Sequence, residues 1–504
     1  MATPPGVAWL PWTERTFARA AREGKPVLLS ITAAWCGHSG LMDRLSYGDP
    51  RVAELIRTLF VPVRVDADRR PDVSARYGLG GWPTTAFLTP GGDILGGGTY
   101  VQTERLVEVL GRVSAAFAAE DHARAPPSQC GPPEAGPSSS FTDAALVAQV
   151  AGGFDSLHGG FGGAPKFPHI APVRLALALH EEDGSPEWRD MAVRSLDAMG
   201  WGPLYDEAHG GFFRHALHAD WSSPCGEKLL ETNAGLLSLY VTAFEVLGQA
   251  RYAERAEDVL RYIQTWLADT LDGGWGASQG TLPPHDTPAV PQGSASSAVA
   301  TSAAPVDTTL YTDWNALMVS AALHAGRTMN DPSLSEFAIR SLERVGLEAY
   351  RPGGGVAHAA SLPPGIGVER GHGDGEIRGL LDDQIAMALA HLDAFEATGN
   401  IVYQMMAEEL ALYAVRTMWD EAGGGFFDRA PNPAGEIGLL RERLKPFVSN
   451  CTAARMLGRL ARVSGTGEYA AYAGRTLQAL NGRAGAEGPL AAEYLLAVRA
   501  LAQG

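Results

Sequence analysis

The sequence predicts two domains of different classes: an α/β domain at residues 1–120 and an all-α array at 141–504. Its 504 residues are too many for one compact core. The first region alternates strand-like apolar runs with helical patterns, which is typical of an α/β layer with parallel pairing. The second region is rich in alanine and leucine at helical spacing, and glycine-rich turns divide it at intervals of roughly 50–80 residues.

The elements of the first domain follow from local signals. Thr13 can cap a helix that ends near Gly24, and residues 106–117 form an amphipathic helix. Residues 27–32 are apolar apart from Ser30 and Thr32, which predicts a buried strand. The segments 60–65 and 84–88 predict two further strands, and the turn 90–93 ends the last of them.

A recurring Gly-Gly turn, usually followed by an aromatic residue and preceded by an aspartate, punctuates the second domain. Its copies begin at Gly159, Gly210, Gly273, Gly353 and Gly423. Such spacing suits a pair of helices joined by a loop and repeated around a ring. A linker is predicted at 121–140, where prolines and serines concentrate, and a flexible insertion at 280–306.

Composition excludes several classes of function. The net charge is −17, so binding to nucleic acid or to an anionic membrane surface is not expected. The four cysteines are widely separated and the histidines form no ligand-like pair, so we predict no disulfide framework, no metal site and no cofactor. No run reaches the roughly 18 apolar residues of a membrane span, and the N-terminus lacks a signal-peptide pattern. We therefore expect a soluble, cytoplasmic protein.

The segment around Cys36 is the most informative motif of the first domain. A buried strand leads into Ala34-Trp35-Cys36-Gly37-His38-Ser39, and Gly81-Trp82-Pro83-Thr84 follows some 45 residues later. This arrangement resembles a thioredoxin active site, with Pro83 in a cis bond beside the sulfur. Because Ser39 replaces the second cysteine of C-x-x-C, only mixed disulfides or binding are open to a lone thiolate. A helix N-terminus would stabilise that thiolate, whereas a cysteine that only packs is the alternative.

Further motifs extend a resemblance along almost the whole chain. They are Gly24-Lys25-Pro26, Asp66 with Arg69-Arg70-Pro71-Asp72, Gly160-Phe161-Gly162 with Ala164-Pro165-Lys166-Phe167-Pro168, Gly211-Phe212-Phe213-Arg214, Glu227-Lys228, Trp314-Asn315-Ala316-Leu317-Met318, Leu381-Asp382-Asp383 and Lys445-Pro446. On these motifs the chain resembles the spermatogenesis-associated thioredoxin-domain family (YyaL-type proteins). The resemblance implies a thioredoxin-like domain followed by an (α/α)6 toroid, similar to those of N-acylglucosamine 2-epimerases and six-hairpin glycosidases.

The chain departs from the family pattern where chemistry is expected. Ser39 stands in place of a cysteine, Cys225 in place of a histidine, and the stretch after Lys445-Pro446 is shortened to Phe447-Val448-Ser449-Asn450. These losses favour a diverged member that keeps the residues needed for folding but has lost residues needed for catalysis.

Two candidate sites result, one in each domain. In the first domain, Cys36, Ser39 and Pro83 would act on a thiol-bearing protein. In the toroid, the resemblance places a group of substrate-binding residues around one cavity: Glu227, Lys228, Trp314, Asn315, Asp382 and Asp383.

Three functions remain open. The first is a monothiol redox role with the toroid as a platform, and the second is a binding scaffold that has lost both chemistries. The third is a carbohydrate-processing enzyme, either a hydrolase with two carboxylates or an epimerase with two bases. A sugar-like small molecule is then the expected ligand. An open cavity rich in carboxylates and aromatic rings would favour sugar processing, and one filled by side chains would favour a scaffold.

Overall fold

The computed structural model describes residues 6–119, 140–281, 304–360, 377–432 and 435–502. All but residue 140 of the predicted linker, and most of the predicted insertion at 280–306, lie outside these residues, as does Cys130.

The first domain is a four-stranded mixed sheet covered by helices. The strands are β1 Val27–Thr32, β2 Val61–Asp66, β3 Thr84–Leu88 and β4 Ile94–Gly98. The helices are α1 Glu14–Glu23, α2 Gly37–Met42, α3 Pro50–Leu59, α4 Pro71–Tyr77 and α5 Thr103–Ala119, with a π-helical turn at Asp43–Tyr47. The strand order is β2-β1-β3-β4. Strand β1 pairs parallel with β2 and antiparallel with β3, which confirms the predicted thioredoxin-like fold.

Local signals fix the first helix as the sequence predicts. The Thr13 side chain accepts a hydrogen bond from the Thr16 amide at 3.3 Å and so caps the N-terminus of α1. Gly24 ends the helix with φ of +61°, a left-handed conformation that favours glycine. Strand β1 then enters a core where its first five residues are fully buried, which explains why four of these five are apolar.

In the part of the chain that the structure describes, the second domain is a ring of twelve helices in six hairpins. They are α6 Asp143–Gly152, α7 Ile170–Asp183, α8 Pro186–Gly200, α9 Leu230–Leu247, α10 Ala250–Trp266, α11 Thr312–Thr328, α12 Pro332–Ala349, α13 Leu381–Thr398, α14 Ile401–Met418, α15 Phe447–Ser464, α16 Gly467–Ala484 and α17 Ala491–Ala502. Helices α7, α9, α11, α13, α15 and α17 each pack on the next, and α17 packs on α7, so they close an inner ring. The other six pack outside it. This is the expected (α/α)6 toroid.

Short strands and helical turns connect the hairpins. The strands are β5 Lys228–Leu229, β6 Ser278–Gln279, β7 Val306–Asp307, β8 Leu310–Tyr311, β9 Tyr350–Arg351, β10 Gly355–Val356 and β11 Ala359–Ala360. The 3-10 turns are Gly438–Arg441 and Gly488–Leu490.

An amide side chain on an inner helix holds each of four glycine-rich turns. Asn315, the fourth residue of α11, accepts a hydrogen bond from the Trp275 amide at 2.8 Å and donates to the Trp275 carbonyl at 3.0 Å. Asn233, Gln384 and Asn450 occupy the same helical position and hold Phe212, Val356 and Phe426 in the same way. These paired hydrogen bonds satisfy buried backbone groups of each turn. They therefore explain why a glycine-rich turn recurs together with an inner helix that carries the amide.

A cation closes several of the same turns from the other side. The Lys228 ammonium donates to Asp206 Oδ2 at 2.7 Å and to the Gly210 carbonyl at 2.6 Å. Lys166 and Lys445 pair equivalently with Asp155 and Asp420. The aspartate that precedes each of these three turns is therefore a structural anchor.

The two domains share an apolar core. Leu229, Ile437 and Leu440 of the toroid pack with the buried side chains of the thioredoxin-like sheet. Arg76 pairs with Asp428 at 2.8 Å, and the Tyr77 hydroxyl accepts a hydrogen bond from the Leu439 amide at 2.8 Å. Both side chains of the ion pair are largely buried, so the domains form a continuous packed interface. None of the helices in the described part of the chain combines the length and apolarity needed to cross a membrane.

Candidate functional site

The cysteine site of the first domain forms as predicted. Cys36 is the N-cap residue of α2, and the Trp82–Pro83 peptide bond is cis. The Cys36 thiol lies 3.6 Å from the Trp82 carbonyl oxygen, in position to donate to it. Ser39 is buried, and its hydroxyl oxygen accepts a hydrogen bond from the Ala33 amide at 3.5 Å. Serine at this position therefore supports the turn before the helix.

The toroid covers the aromatic face next to this cysteine. The Arg214 guanidinium carbon lies 4.6 Å from the ring centroid of Trp35 and 5.4 Å from that of Trp82. The Thr281 amide donates to the Trp35 carbonyl at 3.4 Å. Trp35 is only 3% exposed as a result. A bound chain would have to displace Arg214 to reach this face.

A cavity of about 1990 Å³ runs along the inner helices of the toroid. It begins beneath the thioredoxin-like domain, which contributes Trp35, Asp68 and Trp82 to its wall. It continues down α11 from Asp313 to Arg327. The toroid is therefore hollow rather than filled by its own side chains.

Three carboxylates from successive inner helices line this cavity. Glu231, Asp313 and Asp382 are each the second residue of their helix, α9, α11 and α13 respectively. All three side chains lie inside the toroid, away from its outer surface. The accessible surface of Glu231 and Asp382 faces the cavity. Burial raises the pKa of all three, and the charge of Asp382 adds to the shift of Glu231. For Asp313 the shift is large, because the Asp383 carboxylate also repels its ionised form.

The thioredoxin-like domain supplies a fourth carboxylate. Burial and the neighbouring Asp66 raise the pKa of Asp68 to about 8, and burial raises the pKa of Asp66 itself to about 6. The Trp35 indole Nε1 donates to Asp68 Oδ2 at 2.7 Å. The mouth of the cavity thus carries protonatable carboxyl groups from both domains.

A buried histidine lies behind this mouth. His358 Nδ1 is 3.0 Å from Asp383 Oδ1, and its Nε2 is 2.6 Å from the Asp68 carbonyl oxygen. Burial opposes ionisation of the ring, but Asp383 and Asp313 outweigh it and raise the pKa of His358 to about 10. The imidazolium therefore donates to both domains and connects them below the carboxylates.

Only part of the predicted binding set reaches the cavity. Trp314 and Asp382 line it. Glu227 lies outside the lining and pairs with Arg214, Nε to Oε1, at 3.0 Å. Lys228, Asn315 and Asp383 are fully buried in the contacts described above, so the expectation that all of these residues surround one cavity is wrong for them. Lys228 and Asn315 hold glycine-rich turns, and Asp383 pairs with His358.

Sequence reasoning missed Asp68, Glu231 and Asp313. The sequence did contain a signal for Glu231 and Asp313. The inner helices α9, α11 and α13 each carry an acidic residue two positions before the amide that holds a glycine-rich turn. Asp68 had no such signal, because its place at the cavity depends on how the domains dock.

Among the residues that the structure describes, two groups of side chains lie close enough together to hold a metal ion. They are His215 with Cys225 and Glu227, and Asp313 with His358 and Asp383, and within each group the ligand atoms lie within 4.8 Å of one another. Arg214 already neutralises Glu227, and both ring nitrogens of His358 already have partners. Neither arrangement favours a cation.

Sequence relatives cover both domains. Residues 2–125 match the family described as Thioredox_DsbH, protein of unknown function, DUF255. Spermatogenesis-associated protein 20 of Mus musculus is 30% identical over 319 residues, 55% of this chain. The matched region spans 39% of the mouse protein.

Solved structures resemble the toroid in fold alone. Cellobiose 2-epimerase from Bacillus thermoamylovorans has a TM-score of 0.51 at 9% identity, covering 66% of this chain and 82% of that chain. A family 76 glycoside hydrolase from a Bacteroides thetaiotaomicron strain also has a TM-score of 0.51, at 10% identity, covering 71% of this chain and 77% of that chain. The chain is therefore similar in sequence to spermatogenesis-associated protein 20 over part of that protein's length, and it joins a thioredoxin-like domain to a six-hairpin toroid.

Proposed function

We propose that the toroid cavity binds a carbohydrate and hydrolyses a glycosidic bond. The observation that carries this proposal is the set of three carboxylates, Glu231, Asp313 and Asp382, that successive inner helices bring to one open cavity. Of the hypotheses left open by the sequence, the carbohydrate-processing enzyme is the one that this cavity favours.

The acid–base properties of these groups suit glycoside hydrolysis. The reaction needs one carboxylic acid to protonate the leaving oxygen and one carboxylate to activate water or attack the sugar. Asp313, whose pKa is raised most, is the proposed acid. Asp382 hydrogen-bonds to Ser449, which opposes the effect of burial on its pKa, so it is the better candidate for the ionised partner.

Aromatic rings at the same end of the cavity suit a sugar ligand. Trp314 is partly exposed and lines the wall beside the carboxylates, and its apolar, rigid ring is a surface on which a sugar can stack. Trp35, Trp82 and Phe167 line the same end of the cavity around the Arg214 guanidinium, which covers part of their faces. By contrast, Trp221 and Trp275 are buried in the core of the toroid.

Epimerisation is less well supported by these residues. It needs two bases that remove and return one proton. His169 and His324 line the cavity, but His324 lies 11 residues after Asp313 on α11, about 16 Å along the helix axis. Cys225 stands where the family has a histidine, and its thiol lies 3.3 Å from His215 Nε2. We expect weak or no epimerase activity.

The thioredoxin-like domain acts in this proposal as a fixed cover that completes the cavity wall. The monothiol redox role of Cys36 and the binding-scaffold role of the whole chain remain predictions. The redox role is less well supported because Arg214 occupies the aromatic face beside the cysteine, and the scaffold role because the toroid cavity is open.

A hydrolysis screen tests the proposal. The full chain is incubated with a panel of p-nitrophenyl glycosides and oligosaccharides, and released product is measured for the wild type and for Asp313→Asn. Loss of the acid should lower kcat by about 10²- to 10⁴-fold while saccharide binding persists. Asp272→Asn, in an exposed turn, is the matched control and should retain full activity. The absence of both hydrolysis and saccharide binding across the panel would refute the proposal.

A further inference from the structure

We infer that the middle of the cavity contains a subsite for an anionic group on the saccharide, a carboxylate or a sulfate. The subsite is formed by Arg174, Ser238, Thr452, Arg455 and Glu493. This inference rests on the proposed function and adds a substrate class to it.

Arg174 is the central residue of this subsite. It lies on α7, lines the cavity, and its Nη2 donates to the Ser238 hydroxyl at 3.1 Å. Within the described ranges, no carboxylate forms an ion pair with it. Burial and the nearby Arg455 lower its pKa to about 10, so the cation is poorly compensated. A ligand anion would supply the missing charge.

Arg455 and Glu493 complete the site with unused hydrogen-bonding capacity. Arg455 Nη2 is 3.6 Å from Glu493 Oε2 and 3.4 Å from the Thr452 hydroxyl. Arg455 Nε and Glu493 Oε2 are buried without a hydrogen-bond partner in the described structure. Two guanidinium groups thus face one carboxylate, which leaves a net positive charge and a free acceptor for a sugar hydroxyl.

Neighbouring arginines of the same wall differ in this respect. Arg459 is paired with Asp393 at 2.7 Å and with Glu396 at 2.8 Å. Arg462 donates to the Ala500 carbonyl at 2.7 Å, and it is exposed to solvent, as are the cavity-lining Arg327 and Arg340. Arg174 and Arg455 differ from these arginines because they are half-buried and, among the described residues, have only Glu493 near them as a counter-charge.

The subsite lies at a useful distance from the carboxylates. Ser238 follows Glu231 by seven residues on α9, which corresponds to about 10 Å along the helix axis. A saccharide held at the mouth by its reacting bond could thus extend an acidic residue down to Arg174. The expected substrate is an oligosaccharide with a uronic acid or a sulfate group away from the cleaved bond.

Calorimetric titration of the full chain tests this inference. Cellobiouronic acid and cellobiose form a matched pair that differs by one carboxylate. Cellobiose 6-sulfate tests whether a sulfate group is bound instead. We expect the preferred anionic sugar to bind at least about tenfold more tightly than cellobiose. Arg174→Met should remove this preference, so that the anionic sugar and cellobiose bind that variant with equal affinity. Arg462→Met, farther along the same wall, should preserve the preference.

The outcomes separate this inference from the proposed function. Equal binding of the neutral and anionic sugars would overturn the subsite while leaving the sugar cavity intact. If none of the sugars binds, the result counts against the proposed function. Titration with inorganic sulfate then tests whether the anion subsite exists by itself. Sulfate binding lost in Arg174→Met would support the subsite, whereas no sulfate binding, or binding unchanged in that variant, would overturn it.

Discussion

The guanidinium carbon of Arg214, in the toroid, lies 4.6 Å from the ring centroid of Trp35, in the thioredoxin-like domain. The same guanidinium pairs with Glu227 at 3.0 Å, and both side chains of that pair are largely buried. One residue thus neutralises a buried carboxylate, stacks on the ring that precedes Cys36, and lines the cavity. Glu227 therefore acts indirectly: it holds the Arg214 guanidinium in place against Trp35.

Replacing Arg214 should destabilise the protein. Arg214→Met keeps the apolar stem but leaves Glu227 buried without its cation, so we expect a loss of about 3 kcal/mol. The loss should appear as a lower midpoint of thermal unfolding. Arg261→Met, which removes an exposed pair with Asp258, is the control and should change stability by less than about 0.5 kcal/mol. Similar effects of the two substitutions would contradict the role assigned to Arg214.

Asn315 should prove to be a structural residue rather than a ligand contact. Asn315→Ala removes hydrogen bonds to the Trp275 amide and carbonyl and to the Tyr311 carbonyl. Leaving these buried groups unpaired should cost about 3 kcal/mol. Asn450→Ala, at the equivalent position of α15, should lower the unfolding midpoint similarly. Saccharide binding measured below the unfolding range should persist, and its selective loss in Asn315→Ala would revive a binding role.

The cysteines should differ in reactivity, and none should be in a disulfide. Four free thiols are expected in the denatured, unreduced protein, and the three described cysteines are all free. In the native state, Cys36 should react with iodoacetamide before Cys225 and Cys451, because burial raises the pKa of Cys225 to about 12 and Cys451 is fully buried. Mass spectrometry of timed samples measures the order. Modification of Cys451 before Cys36 would contradict it.

Local motifs predicted the folds of both domains. The strand before Cys36, the cis bond at Pro83 and the repeated glycine-rich turns each depend on residues close in sequence, and all are present. Motif membership predicted the site less well. Lys228 and Asn315 belong to family motifs because they hold turns, and the sequence alone does not distinguish such anchors from ligand contacts.

The missing part of the site depends on contacts between distant segments. Asp68 reaches the cavity only because its domain docks over the toroid, where the carbonyl of Asp68 meets His358, 290 residues later. The raised pKa values likewise come from burial that only the folded toroid creates. Neither the docking of the two domains nor the burial of these carboxyl groups can be read directly from a sequence pattern.

Asp68 should also make stability depend on pH. Its pKa is about 8 in the folded protein, through burial and the charges of Asp66, Asp307 and Glu231, and about 4 in an unfolded chain. Because the folded pKa is the higher one, this contribution to stability is complete below about pH 4 and is lost as pH rises to about 8. Asp68→Asn removes the titration and keeps an oxygen that can accept from the Trp35 indole. The variant should therefore gain in unfolding midpoint over the wild type as pH rises from 5 to 8. Asp190→Asn, at an exposed position, should show no such trend. A constant difference between Asp68→Asn and the wild type across this range would show that Asp68 ionises normally, and would remove it from the protonatable groups at the cavity mouth.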